Sequence, residues 1–496
     1  MQRLPSILSG VVVLAALSAH AGGGDQVFHL TRHGNTTSGV NRTMSVPAGH
    51  CAQCHPVRQT PTPGAPALFA PNDNGLCFTC HGSSGAAQVY GGQGPWAASS
   101  HASSTAMRWP GPTPAARPAS DAGKCLNCHT PHGARDGQGL VPNLEYFREE
   151  ALCLACHDGS GPASTNLQAE FSKPSAHPTT TTAGVHLTAE GSSATAFGTG
   201  RRHAECTDCH NPHAANGAAP LSGVSRVQVT NGVAGSTPGY TFVPASNAGA
   251  VQEFELCFKC HSSWTSQPAG QTDLAKVLNP ANESFHPVEG PGRTTSSQLA
   301  ASLAGGSGLP HLTTSSVIAC ADCHNNDALP RTVTTVSSYT GALPKGPHGA
   351  ASPGLLRAPY RLTLKPRATA NDYAANDFAL CFICHAPAPF ATTSESTRAD
   401  TSFRLHGMHL NKLFDKGSGG TDINTPGAGQ GNAVCRECHF NTHGTRGAPW
   451  STNATYARGV NFSPNVQGPS GSGQPSWAAG SCRLRCHGTN HNPETY

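Results

Sequence analysis

Hydrophobic and polar residues alternate along this 496-residue chain without holding a helical or strand period for more than a few residues. Such a pattern predicts brief elements separated by glycine- and proline-containing turns. Short helical segments are predicted at residues 143–150 and 371–378, and β-type runs at 224–230, 332–338 and 360–364. Polar or proline-rich linkers are predicted at residues 109–118, 178–193 and 417–431. We therefore expect an irregular fold, mostly loop, with short α-helical turns and minor β-hairpins.

The longest apolar stretch, at residues 7–17, follows Arg3 and precedes the small residues Ala19 and Ala21. This order is typical of a signal peptide, which we assign to residues 1–21. The stretch is too short to span a bilayer comfortably, no later segment approaches the needed length, and no cysteine near the cleavage point offers a lipid anchor. We expect an exported mature chain that does not span the membrane, in the periplasm or at the outer surface and cell exterior.

The composition leaves little material for a conventional core. Only 37% of the residues are hydrophobic and 6% aromatic, against 56 Gly and 40 Pro. Such a composition by itself would suggest disorder. Another apolar component must therefore supply the interior.

The spacing of the cysteines indicates what that component is. Nine times the chain reads Cys-x-x-Cys-His, and a tenth site is one residue wider. We number these ten motifs in chain order. Their cysteines, which are all the cysteines of the chain, are Cys51, Cys54, Cys77, Cys80, Cys125, Cys128, Cys153, Cys156, Cys206, Cys209, Cys257, Cys260, Cys320, Cys323, Cys381, Cys384, Cys435, Cys438, Cys482 and Cys486. Their histidines are His55, His81, His129, His157, His210, His261, His324, His385, His439 and His487.

This spacing suits covalent attachment of haem. Two thiols one helical turn apart can add to the two vinyl groups of a haem, and the next imidazole reaches the iron. Zinc ribbons also use Cys-x-x-Cys, but zinc does not require a histidine after every second cysteine. Histidine makes up 27 of 496 residues, so its presence there ten times in ten by chance is on the order of one in a trillion. We expect about ten haem c groups per chain, and neither a disulfide framework nor a thioredoxin-like site.

The motifs alternate in character along the chain. The odd-numbered motifs are polar inside and are followed by loop, whereas the even-numbered ones are flanked by apolar residues such as Leu256 and Phe258. A polar motif and the next apolar one form the repeating unit. The predicted domains are the signal peptide 1–21 and five dihaem modules at 22–100, 101–176, 177–285, 286–405 and 406–496.

With these paired motifs, and with the Pro-His tails at His132 and His213, the chain resembles multihaem c-type cytochromes built of doubled Cys-x-x-Cys-His domains. The resemblance covers almost all of the mature chain and implies an exported decahaem cytochrome, as in metal-respiring bacteria. The first repeat departs from the pattern, because His55 is followed by Pro-Val-Arg with no second histidine nearby. Its distal ligands are therefore harder to assign.

Each iron needs a second axial ligand, and histidine is the economical source. Sixteen histidines remain outside the motifs and the signal peptide, while Met44, Met107 and Met408 are the thioethers left after processing. Histidine on both faces predicts low-spin irons with low reduction potentials. The predicted distal ligands are His33, His50, His101, His132, His177, His213, His286, His348, His409 and His443. Their substitutes are His186, His203, His311, His406 and His491.

The density of motifs indicates electron transfer. Roughly one haem per 48 residues leaves too little protein to separate the porphyrins. We expect electrons to pass along the bis-His haems toward the outer membrane or an extracellular acceptor, with partners among periplasmic cytochromes, outer-membrane conduits, external acceptors or further copies in a filament. The formal charge of +4 becomes about −7 in the processed, ferric protein, which argues against nucleic acid as a partner.

Two other functions stay open at this point. A multihaem reductase of a small oxyanion such as nitrite or hydroxylamine needs an iron with an open position and nearby proton donors. In many relatives a lysine replaces the motif histidine of that haem, and no motif here has this change. A store of electrons without a fixed direction is the third reading. We predict an electron carrier with no catalytic residues.

Overall fold

The computed structural model describes most of the chain, in short ranges that include all ten motifs. The described residues are 27–56, 67–82, 93–179, 204–245, 251–265, 267, 270–304, 312–330, 343–365, 373–391, 403–411, 413, 431–446, 458–471, 473–478 and 480–495. Most of them lie in loops and turns, as expected from the sequence. The signal peptide lies outside these residues, as do the run at 332–338 and most of the linkers at 178–193 and 417–431.

The helices are short. The α-helices are α1 Asn74–His81, α2 Gln93–Ala98, α3 Ser100–Ser103, α4 Glu149–His157, α5 Leu167–Phe171, α6 Cys206–Cys209, α7 Glu253–His261, α8 Leu274–Val277, α9 Ser297–Ala304, α10 Cys320–Cys323, α11 Ala388–Ala391 and α12 His406–Asn411. The 3-10 turns are Cys51–Gln53, Ala119–Asp121, Cys125–Asn127, Pro142–Leu144, Pro353–Leu355, Ala375–Phe378, Cys381–Ile383, Cys435–Glu437 and Pro469–Gly471. Among the described residues, no helix is both long enough and apolar enough to cross a membrane.

The strands form small antiparallel sheets. They are β1 Arg135–Asp136, β2 Gly139–Leu140, β3 Ser175–Ala176, β4 Arg226–Thr230, β5 Gly239–Val243, β6 Gly349–Ala350, β7 Ser476–Ala478, β8 Ser481–Cys486 and β9 Thr489–Thr495. Within the described residues β1 pairs with β2, β3 with β6 and β4 with β5, and β7, β8 and β9 form one sheet in that order. None of these sheets is large enough to organise a domain core.

Four predicted elements can be compared with the structure. The helical segment at 371–378 is described from residue 373 and forms a 3-10 turn at Ala375–Phe378. The run at 224–230 is confirmed, because β4 forms a hairpin with β5 in which Arg226 faces Val243. The prediction of a strand at 360–364 is wrong. These residues form no strand, and the Arg361 amide donates instead to the Asp377 carbonyl at 2.8 Å. The helix at 143–150 is mostly wrong, because Asn143 and Leu144 have φ of 54° and 58° and α4 begins only at Glu149.

The apolar side chains gather in several small clusters. One cluster contains Phe258, Ala275, Val277, Leu278 and Val288, and another contains Tyr373, Phe378, Phe382, Leu410 and Val434. Phe258 and Phe382 are the residues that follow the first cysteine of the sixth and eighth motifs. The even-numbered motifs thus contribute part of the core themselves.

The chain forms two compact units. The first falls within Met1–Thr79 and Arg108–Leu152, and the second within Cys80–Met107 and Cys153–Tyr496. The five dihaem modules stay a prediction.

Candidate functional site

Each odd-numbered motif is a single helical turn that starts at its first cysteine. In all five, the amide of the motif histidine donates to the carbonyl of the first cysteine, at 2.9 Å for His55, 3.0 Å for His129, 2.8 Å for His210, 2.9 Å for His324 and 2.9 Å for His439. This turn carries both thiols on one side, with the imidazole next to them. None of the twenty cysteines forms a disulfide.

The second intervening residue of each odd-numbered motif is polar, and in the first and third motifs it binds an adjoining loop. Gln53 is fully buried, and its Oε1 accepts the amides of Arg42 and Thr43 at 2.8 Å each. Asn127 accepts the amide of Trp109 at 2.8 Å. The polar character of these motifs therefore positions the turns.

The second, fourth and sixth motifs end longer helices. Helix α7 begins with Glu253 and Glu255 and ends with Lys259 and His261, so the charges complement the helix dipole. Phe258, between its two cysteines, is fully buried. The eighth motif is a 3-10 turn that follows the turn Ala375–Phe378.

The tenth motif has a different backbone. Cys482 and Cys486 lie in β8, and His487 and Gly488, with φ of 44° and 76°, form the two-residue turn to β9. At a rise of about 3.3 Å per residue, strand geometry separates two residues four apart by roughly 13 Å. The helical turn expected at this motif is wrong, because β8 pairs on both edges. Burial raises the pKa of Cys482 to about 11 and that of Cys486 to about 12.

Six motif histidines face a second histidine across a constant gap. Two imidazoles on opposite sides of one metal ion, each bonded at about 2.0–2.1 Å, have ring centres roughly 6 Å apart. The observed ring-centre distances are 6.1 Å for His55 and His132, 6.3 Å for His157 and His101, 6.4 Å for His261 and His177, 6.1 Å for His210 and His348, 6.0 Å for His324 and His443, and 6.2 Å for His487 and His409. These residues fit an iron between each two rings.

The Nδ1 atom of most motif histidines is hydrogen-bonded to another part of the protein. Nδ1 donates to a backbone carbonyl in five of them, which are His55 with Ala67 at 2.8 Å, His129 with Asn143 at 3.0 Å, His210 with Pro220 at 3.0 Å, His324 with Gly354 at 2.7 Å and His439 with Gly459 at 2.9 Å. A bond at Nδ1 fixes the tautomer and leaves Nε2 available to a metal.

Three predicted distal histidines are each hydrogen-bonded to the residue that precedes another predicted distal histidine. His101 Nδ1 donates to the Pro212 carbonyl at 3.0 Å, His177 Nδ1 to Pro347 at 2.6 Å, and His286 Nδ1 to Thr442 at a shorter distance. In each case the acceptor directly precedes another predicted distal ligand, namely His213, His348 and His443. The same local arrangement thus recurs three times.

Burial favours the neutral imidazole at three of the histidines in these sites. It lowers the pKa of His348 to about 3, with a smaller effect from His210, and that of His157 to about 4, with a smaller effect from His101. For His385 burial is again the main cause, followed by His286, and the pKa is about 4. A neutral imidazole is the form that binds a metal.

His406, named from the sequence only as a substitute, lies in such an environment. Burial and then His439 lower its pKa to about 3. His491 is also near a motif histidine, with its Nε2 3.4 Å from Nε2 of His487. No spacing rule in the sequence distinguishes these two from other loop histidines.

Other predicted ligands lie elsewhere or outside the described residues. His50 is exposed, and its Nδ1 accepts the amide of Ala52 as the cap of the first motif's turn. His213 lies 5.8 Å, between ring centres, from Trp96. His33 lies in a turn, and its backbone carbonyl accepts the Val40 amide at 3.0 Å. The substitutes His186, His203 and His311 fall outside the described residues.

Thiols of consecutive motifs are close neighbours. The Cys77 thiol is hydrogen-bonded to that of Cys125, and the Cys257 thiol to that of Cys320. A side chain ahead of the second motif and one ahead of the sixth cap the next turn: Asn74 accepts the Cys125 amide at 2.9 Å, and Glu253 the Ala321 amide at 2.7 Å.

Among the described residues, Glu253, Cys257 and Cys320 also offer three potential metal-ligand atoms within 4.8 Å of one another. Burial raises the pKa of the Glu253 carboxyl, and its oxygen already accepts backbone amides of the seventh motif. The Glu253 carboxyl group therefore acts as a cap in this structure.

Comparison with known proteins gives one family match. A family model described as "Doubled CXXCH motif" matches residues 44–86 and 118–161, which hold the first and second motifs and the third and fourth. The match is consistent with a multihaem c-type cytochrome. No curated protein and no solved structure matches the chain.

Proposed function

We propose that this chain is a decahaem c-type cytochrome that carries electrons along haems held by its ten motifs. The observation that carries the proposal is the set of six histidine ring pairs at 6.0–6.4 Å. The match to the doubled motif supports it for the first four motifs. When bound, a haem iron takes up and releases one electron by changing between its ferric and ferrous states.

The proposed attachment residues are the twenty cysteines, and the proximal ligands are the ten motif histidines. We assign the six opposing histidines as distal ligands of the motifs that they face. For the eighth motif we assign His286, because its charge lowers the pKa of His385 more than that of any other group. For the ninth we assign His406, because the charge of His439 lowers its pKa. His33, His50 and His213 remain sequence-based candidates for the second and third motifs.

The protein orients these ligands and places them in environments that suit an iron. Fixed Nδ1 bonds orient the rings, and burial removes both the competing proton and the surrounding water. His348 and His210, which face each other, are examples, because burial lowers the pKa of both imidazoles. A site of this kind favours two histidines on each iron and low reduction potentials.

Thiols of the fifth to tenth motifs act on one another from motif to motif. Each of these thiols has a pKa raised first by burial or by a hydrogen bond and then by the charge of a cysteine in an adjacent motif. These charge effects act on Cys257 from Cys209 and Cys320, on Cys323 from Cys384, on Cys435 from Cys381, and on Cys438 from Cys486. They support an arrangement in which motifs five to ten are neighbours in chain order. Tunnelling rates fall exponentially with distance, so this order makes a continuous path.

We further propose that the chain works outside the cytoplasm, in the periplasm or at the cell surface. The apolar stretch at residues 7–17 and the family resemblance support this location. Its partners would then be periplasmic cytochromes, an outer-membrane conduit, an extracellular acceptor, or further copies of the chain in a filament.

The first experiment combines haem counting with electron paramagnetic resonance of the same oxidised sample. Ten covalent haems by intact mass, all low-spin, are expected. A sample without covalent haem would overturn the proposal, and a stoichiometric high-spin signal would redirect it to the reductase reading. His348→Ala should convert one iron to high spin, while the matched variant His29→Ala, at an exposed histidine outside the proposed ligands, should leave the ferric spectrum unchanged.

A further inference from the structure

Two fully buried positive charges lie at motif junctions in the second unit. Arg357 exposes 1% of its surface and Lys259 2%. Cations are rarely buried so completely, since removing a charge from water costs free energy that only well-placed partners recover. The places of these two residues suggest a role beyond packing.

Arg357 lies between the seventh and eighth motifs. Its amide donates to the Cys323 carbonyl at 3.0 Å, and its Nη2 donates to the Pro330 carbonyl at 2.7 Å. Burial raises the pKa of the Cys384 thiol to about 12, and the guanidinium partly opposes this rise. The guanidinium is charged at any working pH, so its field acts on both motifs.

Lys259 lies between the fifth and sixth motifs. It is one of the two residues between Cys257 and Cys260, and its Nζ donates to the Asp208 carbonyl of the fifth motif at 2.6 Å. A second bond runs to Ser225 Oγ at 3.1 Å. The ammonium group therefore joins two consecutive motifs with its charge between them.

Buried carboxyl groups occur on both sides of this comparison, but among the described residues of motifs five to ten only the last two motifs lack a buried cation. Asp322 of the seventh motif exposes 3% of its surface, and the charge of Arg357 counters the rise that burial gives its pKa. Glu437 of the ninth motif exposes 5% of its surface and accepts hydrogen bonds from Ser463 and Asn465. Its charge adds to the effect of burial in raising the pKa of the Cys486 thiol. No buried lysine or arginine accompanies these two motifs among the described residues.

We propose that Arg357 and Lys259 set the reduction potentials of the haems at motifs five to eight above those at motifs nine and ten. The inference rests on the proposed function. A ferric haem that accepts one electron loses one positive charge, so a nearby buried cation stabilises the ferrous form, and low local dielectric strengthens the effect. Electrons from an external reductant would collect in the middle of the series before they reach its end.

The test compares Arg357→Met and Lys259→Met with variants that keep the charge, Arg357→Lys and Lys259→Arg. Arg293→Met, at an exposed position outside the motifs, is the surface control. Haem per chain is counted first, and each protein is then titrated with dithionite in a spectroelectrochemical cell. Each methionine variant should shift the ferrous-to-ferric ratio of about two haems by about tenfold, which is about 59 mV for one electron.

The charge-retaining variants and the surface control should titrate as the unmodified protein does. Unshifted curves for both methionine variants at full haem content would overturn this inference alone. Absence of covalent haem from the unmodified protein would instead overturn the proposed function. Should a methionine variant lose haem, the glutamine variants, which keep a donor without a charge, take its place with the same expected shift.

Discussion

The ninth and tenth motifs are neighbours in the second unit, yet they use different backbones. The ninth, with Arg436 and Glu437 between its cysteines, is a 3-10 turn. The tenth, with Arg483, Leu484 and Arg485, is strand β8, in which buried and more exposed residues alternate. The comparison teaches that a cysteine-histidine motif specifies ligand chemistry, while the residues between the cysteines help to select the backbone.

The hydrophobic pattern explains this choice. In the tenth motif apolar and basic residues alternate with a period of two, and His487-Gly488 supplies a hairpin turn, which together favour a strand. The ninth has two polar residues and no such period. The alternation was visible in the sequence, but the expectation of a helical turn rested on the cysteines alone.

Removing the cysteine pairs should give the largest difference. Cys435→Ser with Cys438→Ser should cost one haem and about 4 kcal/mol of unfolding free energy, the range for loss of a bound cofactor. Cys482→Ser with Cys486→Ser should also cost one haem but about half as much stability, because β8 keeps its pairing with β7 and β9. Intact mass and thermal unfolding measure both. Equal stability losses would contradict the comparison.

The distal ligand of the tenth motif can be identified by spectroscopy. We expect His409→Ala to convert one of the irons to high spin, because the His409 ring lies 6.2 Å from that of His487. The ring of His491 lies only 5.4 Å away, closer than two ligands of one iron require, so His491→Ala should keep every iron low-spin. A high-spin signal in the His491 variant instead would reverse the assignment.

Truncating Leu484 tests the packing of the strand. Leu484 is 8% exposed and lies in a cluster with Phe462 and Trp477. Leu484→Ala should lower the unfolding free energy by about 2–4 kcal/mol, through lost burial and a cavity. Chemical denaturation of the haem-loaded protein measures it, and a change below about 1 kcal/mol would show that the strand does not pack there in the loaded protein.

The smallest effect is expected at the matching position of the ninth motif. Arg436 is partly exposed, and its guanidinium carbon lies 4.5 Å from the centre of the Phe440 ring. Arg436→Ala should cost about 0.5–1 kcal/mol, the usual value of an accessible cation–π contact. The same denaturation experiment compares it with Leu484→Ala, and a larger loss at Arg436 would invert the order.

Local sequence predicted much of the site but only part of the fold. The odd-numbered turns follow from spacing, because a bond from the fourth residue after the first cysteine closes one helical turn, as at His210. Strand β4 follows from its β-branched residues, whereas its partner β5 was not among the predicted runs. The run at 360–364 failed because the Asp377 carbonyl binds the Arg361 amide, a tertiary contact that no propensity contains.

The sequence by itself determined the chemistry: ten thiol pairs, each with its histidine, and the alternation of polar and apolar motifs. Covalent spacing and side-chain type are local properties, so they can be read residue by residue. Only the tertiary structure decided which histidine faces which motif, as with His210 and His348, and where Arg357 and Lys259 are buried. Those contacts join residues far apart in the chain, and they form through packing, which no local pattern encodes.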